Sequence, residues 1–508
     1  MTTTDGAIGR AEARRRWVML GIVLIVQFMV ILDATIVSVA LPSIQHGLHF
    51  GSQLDLQWVV NAYALFFGGF LLLGGRAGDL LGHQRLFVTG VAVFTLASLF
   101  NGLAQSPGML IGGRVAQGLG AAMVSPAVLS IILVAFTDAR ERTRALGYFT
   151  AVSASGGGIG ILLGGVLTDV LSWRAIFLVN VPFGLVALLA AIRFIPNTRF
   201  GGGGLRTMDV PGAVSITGAL TVLVYALVNA GAWGWGSGRV IGLLCASAVL
   251  FAAFLVIESR TSKPLVRLGI FRLRTLSAGN ATMFLMMAGI YTLLFFPVLY
   301  LGEVKGYSPL GIGLAILPWP VTMLVTGLIC QYALTFTGVR IPLVTGLVLV
   351  SGGLFCYTRL TPTASYAAGM LPGLLLTAAG AGLAWQLLFL VATAKVRPEE
   401  SGLASGLVNS AQQVGGAVGL AALAVVAAAR TSHVLAQVGG KPTASQTAEA
   451  LTLGFERGFV IAGIVVAVAA VVALLGVRAD DIQHAPEPEL TAVVDAELDG
   501  EATVPVEP

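Results

Sequence analysis

Apolar runs of about 20 residues recur along the chain from residue 17 to residue 477, separated by short polar segments. A helix rises about 1.5 Å per residue, so a run of about 20 crosses a ~30 Å hydrocarbon core. The pattern predicts fourteen membrane helices, over 17–40, 57–76, 86–104, 108–135, 145–169, 175–195, 210–230, 240–258, 277–301, 309–334, 340–358, 366–390, 403–429 and 456–477. Several contain Gly or Pro, which membrane helices tolerate because neighbours re-satisfy the freed backbone groups. The expected fold class is all-α, a polytopic membrane protein.

The predicted helices fall into groups. Six fill roughly 1–200. Gly201–Gly204 then leads into two helices and a basic loop over 201–275. Six more occupy 276–478, and 479–508 form a tail. Six, two and six reads as two six-helix bundles with an inserted two-helix hairpin. The fifth helix of each bundle is glycine-rich. One carries Gly156, Gly160 and Gly164 at spacing four, with Gly157, Gly158 and Gly165 beside them. The other carries Gly402, Gly406, Gly415, Gly416 and Gly419. Small residues so spaced let helix backbones touch. They suit static packing, or a sliding contact between bundles that rock about a central site.

Composition narrows the class. Of 508 residues, 56% are hydrophobic and 10% charged, against about 25% charged in a soluble chain. A soluble enzyme, a disordered scaffold and a secreted disulfide domain are excluded. Cys245, Cys330 and Cys356 lie in apolar stretches, so no disulfide framework or zinc site is implied. The net charge is +5, yet 479–508 hold nine acids and no Lys or Arg, which reads as a disordered cytoplasmic tail. The basic residues are scattered between apolar segments, so they report orientation and not nucleic-acid binding. With the N-terminus cytoplasmic, 21 of the 29 Lys and Arg fall inside and seven outside. This bias puts both termini on the cytoplasmic side of the inner (cytoplasmic) membrane. The first apolar run is longer than a signal-peptide core, and no lipidation motif is evident.

Four stretches carry a resemblance. They are Leu32–Pro42 with Asp33; Gly74–Arg85 with Arg76, Asp79 and Arg85; Arg114 with Gln117, Gly118 and Gly120; and Gly160–Gly165 followed by Trp173-Arg174 and Asn180-Val181-Pro182. In this order they resemble the fourteen-helix drug:proton antiporters of the major facilitator superfamily, the QacA/EmrB type. The resemblance spans residues 17–478. It implies Gly156, Gly160, Gly164 and Gly165 as an antiporter motif, and transport in the exporting direction. Ile161 stands where the family carries Pro, and Ser38 where it commonly carries Asn.

The residues themselves support a proton-coupled reading. Asp33 is the one carboxylate deep in a predicted span, where a charge costs at least ~2.5–3.5 kcal/mol. It lies about sixteen residues, ~24 Å, into the first helix, and Arg114 about six residues, ~9 Å, from the outer end of the fourth. Both therefore fall in the outer third of the core and can pair or share a cavity. Burial favours the neutral acid and a nearby guanidinium favours the carboxylate. Where the two nearly balance, Asp33 exchanges a proton near neutral pH. The alternative is a permanent ion pair fixing the first helix to the fourth.

A gate is expected at the cytoplasmic face. Ser401 is a candidate N-cap of the thirteenth helix, whose positive end attracts Asp79, with Arg76, Arg85 or Arg142 completing the network. The alternative is a solvated loop. Gln27, Asn61, Tyr63, Trp319, Trp385 and Gln386 are candidates to line a substrate cavity, joined by Met283, Met286 and Met287 as an adaptable surface; lipid-facing packing is the competing reading for each. No phosphate loop is present, and the five His have no metal-binding spacing, so no cofactor, metal or enzymatic activity is expected. The expected function is alternating-access, proton-coupled export of lipophilic drugs or antibiotics by a monomer in the bilayer. A proton-coupled importer or metabolite carrier, and a non-transporting receptor, remain as alternatives.

Overall fold

The computed structural model describes residues 4–136, 138–196, 209–261, 264–397, 400–438 and 441–478. The glycine linker Gly201–Gly204, the acidic tail and the side chains of Asp79 and Ser401 lie outside what is described.

Among the described residues, fourteen helices are long and apolar enough to cross a membrane. They are α1 (Arg14–Leu48), α2 (Gln53–Gly78), α3 (His83–Gly102), α4 (Pro107–Ala135), α5 (Arg144–Val170), α6 (Ala175–Phe194) and α7 (Val210–Trp233). The remainder are α8 (Gly238–Arg260), α9 (Arg274–Val304), α10 (Pro309–Leu334), α11 (Arg340–Arg359), α12 (Tyr366–Thr393), α13 (Gly402–Ala436) and α14 (Ala444–Gly476). Each predicted span has its counterpart. The last begins at Ala444 rather than 456, because Thr443 and Gln446 form a capping box there. Polar residues start the helices elsewhere too. Ser106, Asp209, Ser237 and Ser308 each accept a bond from the helix's third N–H. The tight α2–α3 turn passes through Gly82 at φ 96°, a conformation that suits glycine.

The first six helices pack among themselves, chiefly α1 on α5, α2 on α4, α3 on α4 and α3 on α6. The last six do likewise, with α9 on α13, α9 on α14, α11 on α12 and α10 on α12. Two seams join the sets, α2 against α13 and α5 against α10. The inserted α7 lies on the first seam, touching both α2 and α13, while α8 packs mainly on α7. Ala64, Leu65, Val224, Val228, Ala417 and Ala421 bury together where α2, α7 and α13 meet.

Glycine sets how close these helices come. Gly156, Gly160 and Gly164 of α5 face Ile31, Leu32 with Thr35, and Ile36 of α1. Gly165 instead faces Pro309 and Leu310 of α10, across the second seam. The other set repeats the arrangement. Gly415, Gly416 and Gly419 of α13 face Phe284, Tyr291 and Ala288 of α9, while Gly406 faces Leu72 of α2. In each set the fifth helix thus lies tightly on the first and reaches across with another glycine.

The face that holds the start of α1 is called the terminal face, and the opposite one the far face. At the far face Pro42 of α1 abuts Gly302 of α9. Nearby His46 meets Glu303 at 3.1 Å. Along the first seam Ser410 donates to the Gly68 carbonyl at 2.9 Å.

Candidate functional site

Asp33 and Arg114 are buried together, at 0% and 1% exposure. Arg114 Nη1 donates to Asp33 Oδ2 at 2.5 Å. Its Nε donates to the Val59 carbonyl at 2.9 Å, and its guanidinium carbon stands 4.4 Å from the centre of the Tyr63 ring. The second carboxylate oxygen is also held. Gln117 Nε2 donates to Asp33 Oδ1 at 3.0 Å and Asn180 Nδ2 donates to it at 3.1 Å. Gln117 is fixed in turn: it donates to Ser98 at 2.7 Å and accepts from Asn101 at 2.6 Å.

The helices deliver these groups for identifiable reasons. Gln117 follows Arg114 by three residues, so both project from one face of α4. Gly118 lets α4 approach the Tyr63 carbonyl of α2, and Gly113 leaves room for Asn101 of α3. Asn180 stands at the start of the main helical segment of α6. On its other side Asp33 is flanked by the Gly160 contact with Leu32 and Thr35.

One acid and one base make the cluster electrically balanced. Three side chains donate to the carboxylate, which offsets part of its desolvation. With Asp33 fully buried, its carboxylate meets water only if these helices move.

The six expected cavity residues do not gather in one lining. Gln27 donates to Ser153 at 3.2 Å, tying α1 to α5. Asn61 donates to Gln57 at 3.3 Å on its own helix, and Tyr63 lies beneath Arg114. Trp319 and Trp385 pack at the edge of the core shared by the two sets, and Gln386 is exposed. Met283, Met286 and Met287 are fully buried in that core. They fill space between helices and present no open surface.

At the terminal face the side chains of Asp79 and Ser401, expected to meet, lie outside the described residues. The helix of α13 begins at Ser401, so the cap position is Glu400 and not Ser401. The Glu400 carboxylate turns instead to Arg267 at 3.2 Å and Arg397 at 3.0 Å. Arg76 donates to the Pro264 carbonyl at 2.7 Å. Arg85 and Arg142 are exposed.

Two acids escaped the sequence reading. Asp209 and Glu258 are buried, at 3% and 4% exposure, at the start of α7 and in the last turn of α8. Helix-end positions ordinarily face solvent, so their places in the sequence concealed the burial. The one usable signal was Asp209 just before Val210-Pro211-Gly212, a helix-start pattern.

Comparison with known proteins places the chain. A family model described as Major Facilitator Superfamily matches residues 23–420. A cephamycin export protein of Amycolatopsis lactamdurans is 40% identical over 80% of this chain and 84% of its own length. A puromycin resistance protein of Streptomyces alboniger is 39% identical over 85% and 86%. A tetracenomycin C resistance and export protein of Streptomyces glaucescens is 34% identical over 93% and 94%. Among solved structures, a bacterial homologue of the human lysosomal transporter Spinster, inward-facing and unoccupied, superposes with a TM-score of 0.63. That likeness covers 93% of this chain and 99% of the other at 18% identity, and concerns the fold alone. Fourteen membrane-crossing helices, a buried Asp33–Arg114 centre and these relatives agree: the chain belongs to the Major Facilitator Superfamily.

Proposed function

We propose that the protein exports a lipophilic antibiotic or drug in exchange for protons, as a fourteen-helix antiporter of the superfamily. The transporting halves in this reading are residues 1–200 and 276–478, which rock about the centre of the membrane, with 201–275 as an inserted hairpin and 479–508 as a cytoplasmic tail. The charge bias supports a cytoplasmic position for both termini. The export direction is supported by the names of the relatives, which concern cephamycin, puromycin and tetracenomycin C.

The observation that carries the proton half is the carboxylate of Asp33, fully buried and held by Arg114, Gln117 and Asn180. These three donors satisfy the carboxylate while they are in place. If α1 shifts along the glycines of α5, these bonds break and the carboxylate is opened to proton exchange. Opposite exposures of the site then carry opposite protonation, which is the requirement for exchange. Asp33 acts here as the proton carrier and Arg114 as its counter-charge. Gating belongs to the terminal-face groups around Arg76, Asp79 and α13.

Transport by the monomer in proteoliposomes with an imposed pH gradient tests this reading. Wild type is expected to move substrate against the proton flow, and Asp33→Asn to lose pH-driven flux while staying folded. Flux with the protons would favour an importer, and ligand binding without flux a receptor.

A further inference from the structure

The segment Pro264–Arg267, just after α8, is tied to both halves of the molecule. Arg76 at the end of α2 donates to the Pro264 carbonyl. Glu258 in the last turn of α8 accepts from the Val266 N–H at 3.1 Å. Arg267 reaches Glu400 at the start of α13. The side chains of Leu265 and Val266 are buried with Ala213 of α7, Leu276 of α9, and Ala404 and Leu407 of α13. Phe70, Leu72 and Leu73 of α2 pack on the same cluster.

Glu258 is out of place as a solvated surface acid. It lies near the negative end of its helix, where a carboxylate is disfavoured. It is buried, and its Oε1 has no hydrogen-bond partner among the described residues. The charged groups acting on it are Asp209 and Arg76. The Val266 N–H partly offsets the cost of that burial. Such an arrangement persists only where the segment is seated.

We propose that Glu258 is a positioning residue that seats Pro264–Arg267 as a clamp across the terminal-face ends of α2 and α13. The inserted pair α7–α8 thereby governs when the two halves part at that face. This rests on the rocking of the halves, but its test reads accessibility and needs no transport.

Ala404 lies directly beneath the clamp and is 0% exposed. The full chain would carry Ala404→Cys, with Cys245, Cys330 and Cys356 replaced by Ser, in lipid nanodiscs without substrate. Labelling by a water-soluble maleimide then reports clamp lifting. Glu258→Ala is expected to speed labelling at least about tenfold, because a bond to a charged acceptor is lost. Glu258→Gln keeps an acceptor oxygen and is expected to stay within about threefold of the parent. Arg267→Ala breaks only an exposed ion pair and is expected to give about a two- to fivefold rise. Parent-like labelling in Glu258→Ala would overturn the clamp, and so would an equal rise in Glu258→Gln. If Glu258→Ala fails to fold, Arg267→Ala decides, and an unchanged rate there would also overturn the proposal. An intact clamp with no proton-driven flux would count against the antiporter reading alone.

Discussion

Asn180 donates to the same oxygen of Asp33 that Gln117 holds, although the two donors come from α6 and α4. The carboxylate is thereby fixed to helices on either side of it, and α1 cannot rotate or slide without breaking one of these bonds. A shift of α1 and the hydrogen bonds of the Asp33 carboxylate are thus physically linked.

The first expectation concerns the charge pair. Removing one partner of a buried pair leaves an uncompensated charge, which costs about 3–5 kcal/mol. Arg114→Ala is therefore expected to destabilise the protein strongly, read as a lower melting temperature in detergent. The double variant Asp33→Asn/Arg114→Gln is expected to recover much of that loss. A double variant no more stable than Arg114→Ala would count against direct coupling of the pair.

A second expectation concerns the glycine stripe. A Cβ at Gly160 would run into Thr35 and the Leu32 backbone, whereas one at Gly157 meets nothing within 4 Å. Gly160→Val is expected to cost about 1–3 kcal/mol by overpacking and to abolish efflux. Gly157→Ala is expected to be neutral in both assays. Equal behaviour of the two variants would show that the stripe has no special contact with α1.

The far-face contact gives a third test. A Cβ placed on Gly302 falls 3.1 Å from that of Pro42, slightly inside the ~3.5–4.5 Å span of a disulfide. The double variant Pro42→Cys/Gly302→Cys is expected to cross-link on oxidation and to stop transport, with activity returning on reduction. Full activity in the cross-linked protein would exclude separation of the halves at that face.

The His46–Glu303 pair is expected to matter little. His46 is 73% exposed, and exposed pairs contribute about 0–1 kcal/mol. Glu303→Gln should leave both the melting temperature and pH-driven efflux near wild type. A large loss of coupling in this variant would move the proton site to the far face.

Much of the fold was legible because a bilayer imposes a simple length rule on apolar runs. Asp33 and Arg114 stood out for the same reason, since a charge within such a run is costly. The inward face of each helix was not legible. When every face is apolar, periodicity does not separate lipid contact from helix contact. Trp319, Trp385 and Gln386 therefore could not be assigned from spacing. The methionines of α9 were read as a surface and proved to be core. Glu258 and Asp209 were hidden differently. Glu258 bonds to the segment after α8, which packs with α2, α7 and α13, parts of the chain far apart in sequence.

Infrared difference spectroscopy of the protein in lipid tests the central claim most directly, by following the carboxyl band of Asp33 through a pH titration with and without substrate. The expected result is a protonated carboxyl band that changes with pH and with substrate and is absent in Asp33→Asn. Asp33 ionised throughout the titration, whether or not substrate is present, would contradict proton exchange at this site.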